Sequence, residues 1–198
     1  MADDKTLREK ILSSEDDSIF FRSDFPEYHT ESVGRVLSEL TKEGRVLRIA
    51  SGIYVKSRMT RFGPVKPSVD KIVNAIAERD RVQVLPAGVV ALNILGLSTQ
   101  VPMVYCYLTM GSARTIKFDG FKVILKRGVP RNFAYKTRLI ALLVQALKAL
   151  GEGNVEDEER SQIAMLLARE PDRDALRSDV QMMPEWMRRL VKPMIGED

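Results

Sequence analysis

The chain has one cysteine, Cys106, and one histidine, His29. A single thiol closes no intramolecular disulfide and builds no thiolate zinc cage. Cys106 lies in the apolar run Val104-Tyr105-Cys106-Tyr107-Leu108 and reads as a small buried hydrophobe rather than a nucleophile. His29 has no second imidazole with which to share a metal, which argues against histidine-centred catalysis. Long apolar runs are missing too. The longest, around Leu139 to Val144, falls far short of the roughly 20 residues that cross a bilayer, so no membrane partner is expected. The start Met1-Ala2-Asp3-Asp4 is acidic, unlike a charged-then-apolar export signal, and a cytoplasmic location is expected.

What is present is a mixed composition. With 198 residues, 44% hydrophobic and 29% charged, the chain can build a core in one or two small domains. The net charge of +4 hides a segregation. From Lys42 to Lys71 there are eight Lys/Arg against Glu43 and Asp70, and from Gly111 to Arg138 eight against Asp119 alone. Glu152 to Asp198 instead carries seven against twelve acids. Two basic stretches and an acidic end fit a polyanion met by part of the surface.

Periodicity then orders the first third. A helix is expected over about Asp4 to Leu12, with Leu7, Ile11 and Leu12 on one side, followed by a short strand at Ser18 to Phe21. Ser23 is placed to cap a brief helix through Asp24-Phe25-Pro26-Glu27-Tyr28, and Thr30 to cap the next. In that next helix, Glu31 to Lys42, Val33, Val36, Leu37 and Leu40 fall at i, i+3, i+4, i+7, and Gly44 stands where a left-handed terminating residue belongs. The period then alternates through Arg45 to Ile49, turns at Ala50-Ser51-Gly52 and resumes at Ile53 to Lys56, a β-hairpin. Helix, strand, helix, helix and hairpin is the order of a winged helix-turn-helix, which lays its later helix in the major groove.

On that reading His29, Thr30, Glu31, Ser32, Arg35, Ser38 and Lys42 make the recognition face, with Arg35 suited to a bidentate guanine contact. Arg45, Arg48, Ser51, Lys56, Arg58 and Arg61 suit phosphates, which position a protein without choosing sequence. Double-stranded DNA is therefore the expected partner. The other reading is a winged helix that docks a protein, with Glu31 and Glu39 opposing DNA.

Phe62-Gly63-Pro64-Val65-Lys66-Pro67 interrupts both periods, so the expected organisation is a DNA-binding domain at 1–62, a linker at 63–67 and a second domain at 68–198. There Ser68 caps a helix from Val69 to Arg79, Val82 to Leu85 and Met103 to Thr109 read as strands, and Pro86 to Leu95 as a helix. Asp119-Gly120 between the alternating runs of Arg114 to Leu125 signals a two-residue hairpin. It sets Phe118 opposite Phe121, Ile116 opposite Val123 and Lys117 opposite Lys122. Like charges face to face need solvation or an anion. Arg114, Lys117, Lys122, Lys126, Arg127 and Arg131 thus form a second candidate anion surface.

The remainder reads as helices at Tyr135 to Leu150, at Glu156 to Arg169 after an Asn154 cap, at Pro171 to Asp179 and at Pro184 to Val191. The fold class expected is α+β: a winged helix-turn-helix followed by a mixed α/β domain ending in helices.

Several phrases together carry a family likeness: Gly44-Arg45-Val46-Leu47-Arg48-Ile49-Ala50-Ser51-Gly52-Ile53-Tyr54, Leu92-Asn93-Ile94-Leu95-Gly96-Leu97-Ser98-Thr99-Gln100-Val101-Pro102, Tyr107-Leu108-Thr109-Met110-Gly111 and Met183-Pro184-Glu185-Trp186-Met187. From about Thr6 to Met194 the chain resembles the AbiEi-like transcriptional regulators, antitoxins of type IV toxin-antitoxin (abortive infection) systems. The resemblance implies a winged helix that binds inverted repeats in its own promoter, with the DNA helix on Thr30 to Lys42 and the wing on Arg45 to Lys56. It also implies a carboxy-terminal domain that counters a nucleotidyltransferase toxin, which the antitoxin need not touch. The antitoxin role is assigned to the basic hairpin Arg114 to Arg131.

An enzyme is the remaining class. Gly111-Ser112 is similar to the opening of a nucleotidyltransferase site, but only Asp119 follows before Arg138, where paired acids should hold magnesium. Asp119 with Lys122 is too little for a metal nuclease, and no glycine-rich phosphate loop occurs. No catalytic residue, metal or cofactor is expected.

Overall fold

A computed structural model describes residues 2–196; Met1, Glu197 and Asp198, the outer ends of the two expected domains, lie outside the described residues. The chain is mixed α+β, with eight α-helices, three 3-10 turns and three small sheets among the described residues. It divides into two compact units, residues 1–78 with 116–120, and residues 79–115 with 121–198. The division falls within a helix, later than the 63–67 stretch that the prolines and glycine suggest.

The first unit opens with α1 (Ala2–Ser13), whose Leu7 and Ile11 are fully buried. The strand β1 (Ile19–Phe21) follows, then α2 (Thr30–Lys42) and the hairpin β2 (Leu47–Ala50) and β3 (Ile53–Val55). β3 is the central strand of a sheet ordered β1-β3-β2, antiparallel on both sides, with Ile19 opposite Val55 and Leu47 opposite the same residue from the other flank. The core joins Leu7 and Ile11 to Phe20, Phe25, Val33, Val36, Leu37, Leu40, Val46 and Tyr54. The apolar stripe read from spacing is thus the stripe that is buried. Gly44 takes φ +70, a left-handed value that costs a side chain with Cβ but not glycine, and there the chain leaves α2 for β2.

Two caps differ from expectation. Residues after Phe21 form only a 3-10 turn, Arg22–Asp24, and Asp24 rather than Ser23 accepts the Phe21 N–H, at 2.8 Å. Pro26 follows too closely for a helix to continue. Thr30 is the first residue of α2, not its cap; His29 occupies the cap position with no side-chain hydrogen bond to the helix. Beyond β3, β4 (Met59–Thr60) and β5 (Gly63–Pro64) pair as a two-rung hairpin, and α3 (Val69–Asp80) begins after Ser68, whose hydroxyl accepts from the Lys71 N–H.

A four-stranded sheet is ordered β6-β7-β9-β8, from β6 (Val84–Ala87), β7 (Val104–Thr109), β8 (Arg114–Phe118) and β9 (Phe121–Arg127), of which β6, β7 and β9 belong to the second unit. β7 runs antiparallel to β6 and parallel to β9. Asp119 and Gly120 both have positive φ, +50 and +81, the pair of angles that a two-residue hairpin of this hand demands. Ile116 and Phe118 are buried while Lys117 is exposed, and Val123 and Leu125 are buried while Lys122 and Lys126 are exposed, the alternation expected from the sequence.

Helices α4 (Val89–Ile94), α5 (Arg138–Leu150), α6 (Asp157–Ala168), α7 (Arg173–Met182) and α8 (Glu185–Val191) complete the unit. α5 is its centre, with Ile140 to Leu147 buried among Leu85, Leu92, Ile163, Leu176, Val180 and Met187. Trp186 and Leu190 pack on this core half-buried. Asn154 does not cap α6: its amide donates to the Leu150 carbonyl, and Glu156 holds the cap position, its N–H donating to Glu159 at 2.9 Å. No helix among the described residues is long and apolar enough to cross a membrane.

Candidate nucleic-acid interface

On α2 the buried stripe fixes which side chains face outward. His29, Thr30, Glu31, Arg35, Ser38, Glu39 and Lys42 are exposed and Ser32 is half-buried. The face is polar but not simply cationic. Arg35 is engaged: its guanidinium donates to Asp4 of α1 at 2.5 Å and to Ser32 Oγ at 3.4 Å. That bond holds the Asp4 carboxyl below the ordinary range. Two further pairs repeat the pattern on α1, Arg8 with Glu43 and Lys10 with Glu27, and each lowers the carboxyl it touches.

The hairpins carry charge differently. Between Gly44 and Val69 stand Arg45, Arg48, Lys56, Arg58, Arg61 and Lys66, with no aspartate or glutamate. Arg45 and Arg48 are exposed, and Ser51 is exposed at the turn. Arg48 sits beside a register shift in β2, where the strand bulges against β3. Bulges bend a strand and re-aim its side chains. Arg58 and Arg61 are exposed on and beside the β4–β5 hairpin. Lys56, read as a phosphate contact, is instead half-buried: its ammonium donates to the Ser14 carbonyl at 2.5 Å and lies 3.5 Å from Asp16, tying the end of β3 to the turn after α1.

The second candidate surface separates in the same way. Arg114 and Arg79 both bind Asp80, Arg79 at 2.8 Å, and together they hold its carboxyl below the usual range, the hydrogen bond from Arg79 contributing most. Arg131 donates to the Met182 carbonyl at 2.9 Å. These two arginines anchor the second unit. Lys122 and Lys126 of β9 are exposed on one face with half-buried Ile124 between them, opposite Val104, Leu108 and Cys106 of β7. Arg127 is exposed at the strand end, and Lys117 is exposed on β8.

No group of three or more His, Cys, Asp or Glu among the described residues could hold a metal. Residues 6–175 match one family model over most of the chain. The protein belongs to a family of unknown function, DUF6088. No curated relative matches the chain. The family match covers the first unit from residue 6, the basic sheet face and the Gly96 to Thr99 phrase. That phrase, with α6, lines a cleft of about 420 Å³ whose charged residues, Glu158 and Glu159, are both acidic. Its acidic lining is unsuited to a polyanion.

Proposed function

We propose that the first unit is a winged helix-turn-helix and that the protein is a cytoplasmic DNA-binding repressor of its own promoter, the antitoxin of a type IV toxin-antitoxin pair. The observation that supports this most is the pairing of an amphipathic helix, α2, with a three-stranded sheet whose β2–β3 hairpin presents exposed Arg45 and Arg48 in a stretch without carboxylates. A helix docked by Val33, Val36, Leu37 and Leu40 leaves its other side chains for base edges. The hairpin beside it supplies phosphate contacts. The β8–β9 cations Lys117, Lys122, Lys126 and Arg127 remain the proposed antitoxin or second anion surface, without Arg114 and Arg131, whose guanidinia are committed elsewhere.

Occupancy of promoter DNA excludes polymerase, so repression needs no catalytic group and no cofactor. Partners under this reading are double-stranded promoter DNA with inverted repeats and, functionally, a nucleotidyltransferase toxin.

The test is binding of labelled promoter duplex across a salt series. With several phosphates engaged, log affinity should fall by about 0.9 per contact for each decade of salt. A flat response would point to a protein-docking role, which the exposed Glu31 and Glu39 on α2 favour. The toxin half is tested separately, by whether expression of this chain relieves growth arrest by a nucleotidyltransferase encoded beside it.

A further inference from the structure

The hairpin β4–β5 has two rungs, Met59 opposite Pro64 and Thr60 opposite Gly63, so Arg61 and Phe62 form its tip. The turn is fixed from within: Thr60 Oγ1 accepts from the Phe62 N–H at 3.2 Å and donates to the Gly63 carbonyl at 2.8 Å, and the Val65 N–H closes on the Arg58 carbonyl at 2.9 Å. Phe62 is 87% exposed, the most exposed large hydrophobic side chain among the described residues, and Met59 beside it is 63% exposed. The Arg61 guanidinium carbon lies 4.6 Å from the Phe62 ring centroid. A phenyl ring held on a braced turn with a guanidinium over it leaves most of its apolar surface in water, surface that a partner with a flat apolar face can cover.

We propose that Phe62 is a base-stacking residue: the β4–β5 finger inserts it at a base step of duplex DNA while Arg58 and Arg61 meet the flanking phosphates. The proposal rests on the reading of the first unit as a nucleic-acid-binding module. Every base offers a flat π face, and an aromatic ring that enters between bases gains stacking in exchange for the stacking it interrupts. The charge around the ring selects this occupant. Arg61 lies over it and Arg58 is exposed at the foot of the same hairpin, with no carboxylate in the run from Gly44 to Val69; Lys66 is committed to Asp119. A membrane could also accept an exposed Phe-Met pair, but Arg61 stands at the apex next to the ring and would be carried toward hydrocarbon with it. A DNA groove takes both side chains, the ring at the bases and the guanidinium at the backbone.

The experiment measures anisotropy of a fluorescein-labelled mixed-sequence duplex with the full chain and with Phe62→Ala, Phe62→Leu and Phe62→Trp. The side chain is almost wholly outside the fold's packing, so closely similar melting curves are expected for all three. Ala and Leu should weaken binding roughly 5- to 150-fold, the range of one lost base stack, with the salt slope unchanged because no charge is removed. Trp should keep native affinity, and its emission should be quenched by DNA relative to the native chain. Native affinity in Phe62→Ala or in Phe62→Leu overturns stacking and leaves the DNA-binding reading intact. A native chain that binds no duplex overturns both. Capture of the native chain, but not of Phe62→Ala, by phosphatidylserine vesicles, with DNA affinity unchanged by the substitution, assigns the finger to lipid and overturns the proposal.

Discussion

In the first unit the carboxylates Asp4, Glu27 and Glu43 lie near the surface, each holding one cation of α1 or α2, whereas in the second Asp179 is fully sealed and forms no ion pair among the described residues. Asp179 accepts from the Lys136 N–H at 2.9 Å, the Thr137 N–H at 2.7 Å and the Thr137 hydroxyl at 2.8 Å. It therefore fixes, from α7, the residues that open α5, and Thr137 in turn caps α5 at the Ile140 N–H. One carboxylate here works as an internal template for backbone. The three in the other unit trim the charge of the helices, whereas Arg45, Arg48, Arg58 and Arg61 of the hairpin stretch form no ion pair among the described residues. The difference teaches where cationic surface remains for a partner: on β2–β3 and β4–β5 rather than on α1 and α2.

The largest effect should come from removing the template. Asp179→Ala leaves a buried amide and hydroxyl of Thr137 and the part-buried Lys136 amide without an acceptor and should lower the unfolding free energy by about 2 to 4 kcal/mol, read from urea denaturation. Asp179→Asn keeps one acceptor oxygen and should cost less. If Asp179→Ala unfolds at the native urea midpoint, the contrast between the units fails.

Next in size is removal of the bare cations. Arg45→Ala with Arg48→Ala should weaken duplex binding across all sequences and reduce the salt slope by about two, one for each phosphate contact. The same substitutions on partnered Arg8 and Lys10 should leave the slope unchanged. Equal losses from both pairs would mean that the ion pairs of α1 do not withhold their cations from DNA.

Much of this architecture is legible in the sequence because it is local. The stripe Val33, Val36, Leu37, Leu40 is buried as spaced, the Asp119-Gly120 turn adopts the backbone its residues favour, and α5 is closed by Gly151. What is not legible is set by residues distant in the chain. Arg35 reads as a base contact until Asp4 is found beside it, 31 positions away. Lys56 reads as a phosphate contact and Arg114 as part of a second anion surface for the same reason: a charge pattern shows the cation and not its partner. The finger at 59–64 was hidden differently. Two-residue strands are too short to alternate, so glycine and proline there read as a break rather than as a braced turn.

A smaller effect belongs to Asp80. Its carboxyl is held low by Arg79 and Arg114, so its contribution to stability is complete above the ordinary aspartate range and is lost as pH falls through its lowered value. Denaturant midpoints should therefore hold from neutrality down to about pH 4 and decline below it. Asp80→Asn should start lower at neutral pH and decline less steeply. An acid limb identical in both proteins would assign that decline to other carboxylates.

The smallest predicted change sharpens the comparison most. Asp4→Asn removes the carboxylate from Arg35 and leaves the guanidinium on the exposed face of α2. The pair is at the surface, so the fold should tolerate the change. If α2 enters a groove, the freed Arg35 no longer has to exchange a carboxylate for a base or phosphate, and duplex affinity should rise a few-fold, with the salt slope steepening by up to about one contact. Arg35→Ala in the same background should abolish that gain. Should Asp4→Asn leave affinity unaltered while Arg48→Ala reduces it, the hairpin alone meets DNA, and α2 serves the first unit as a packed helix whose outward charge is already spent on α1.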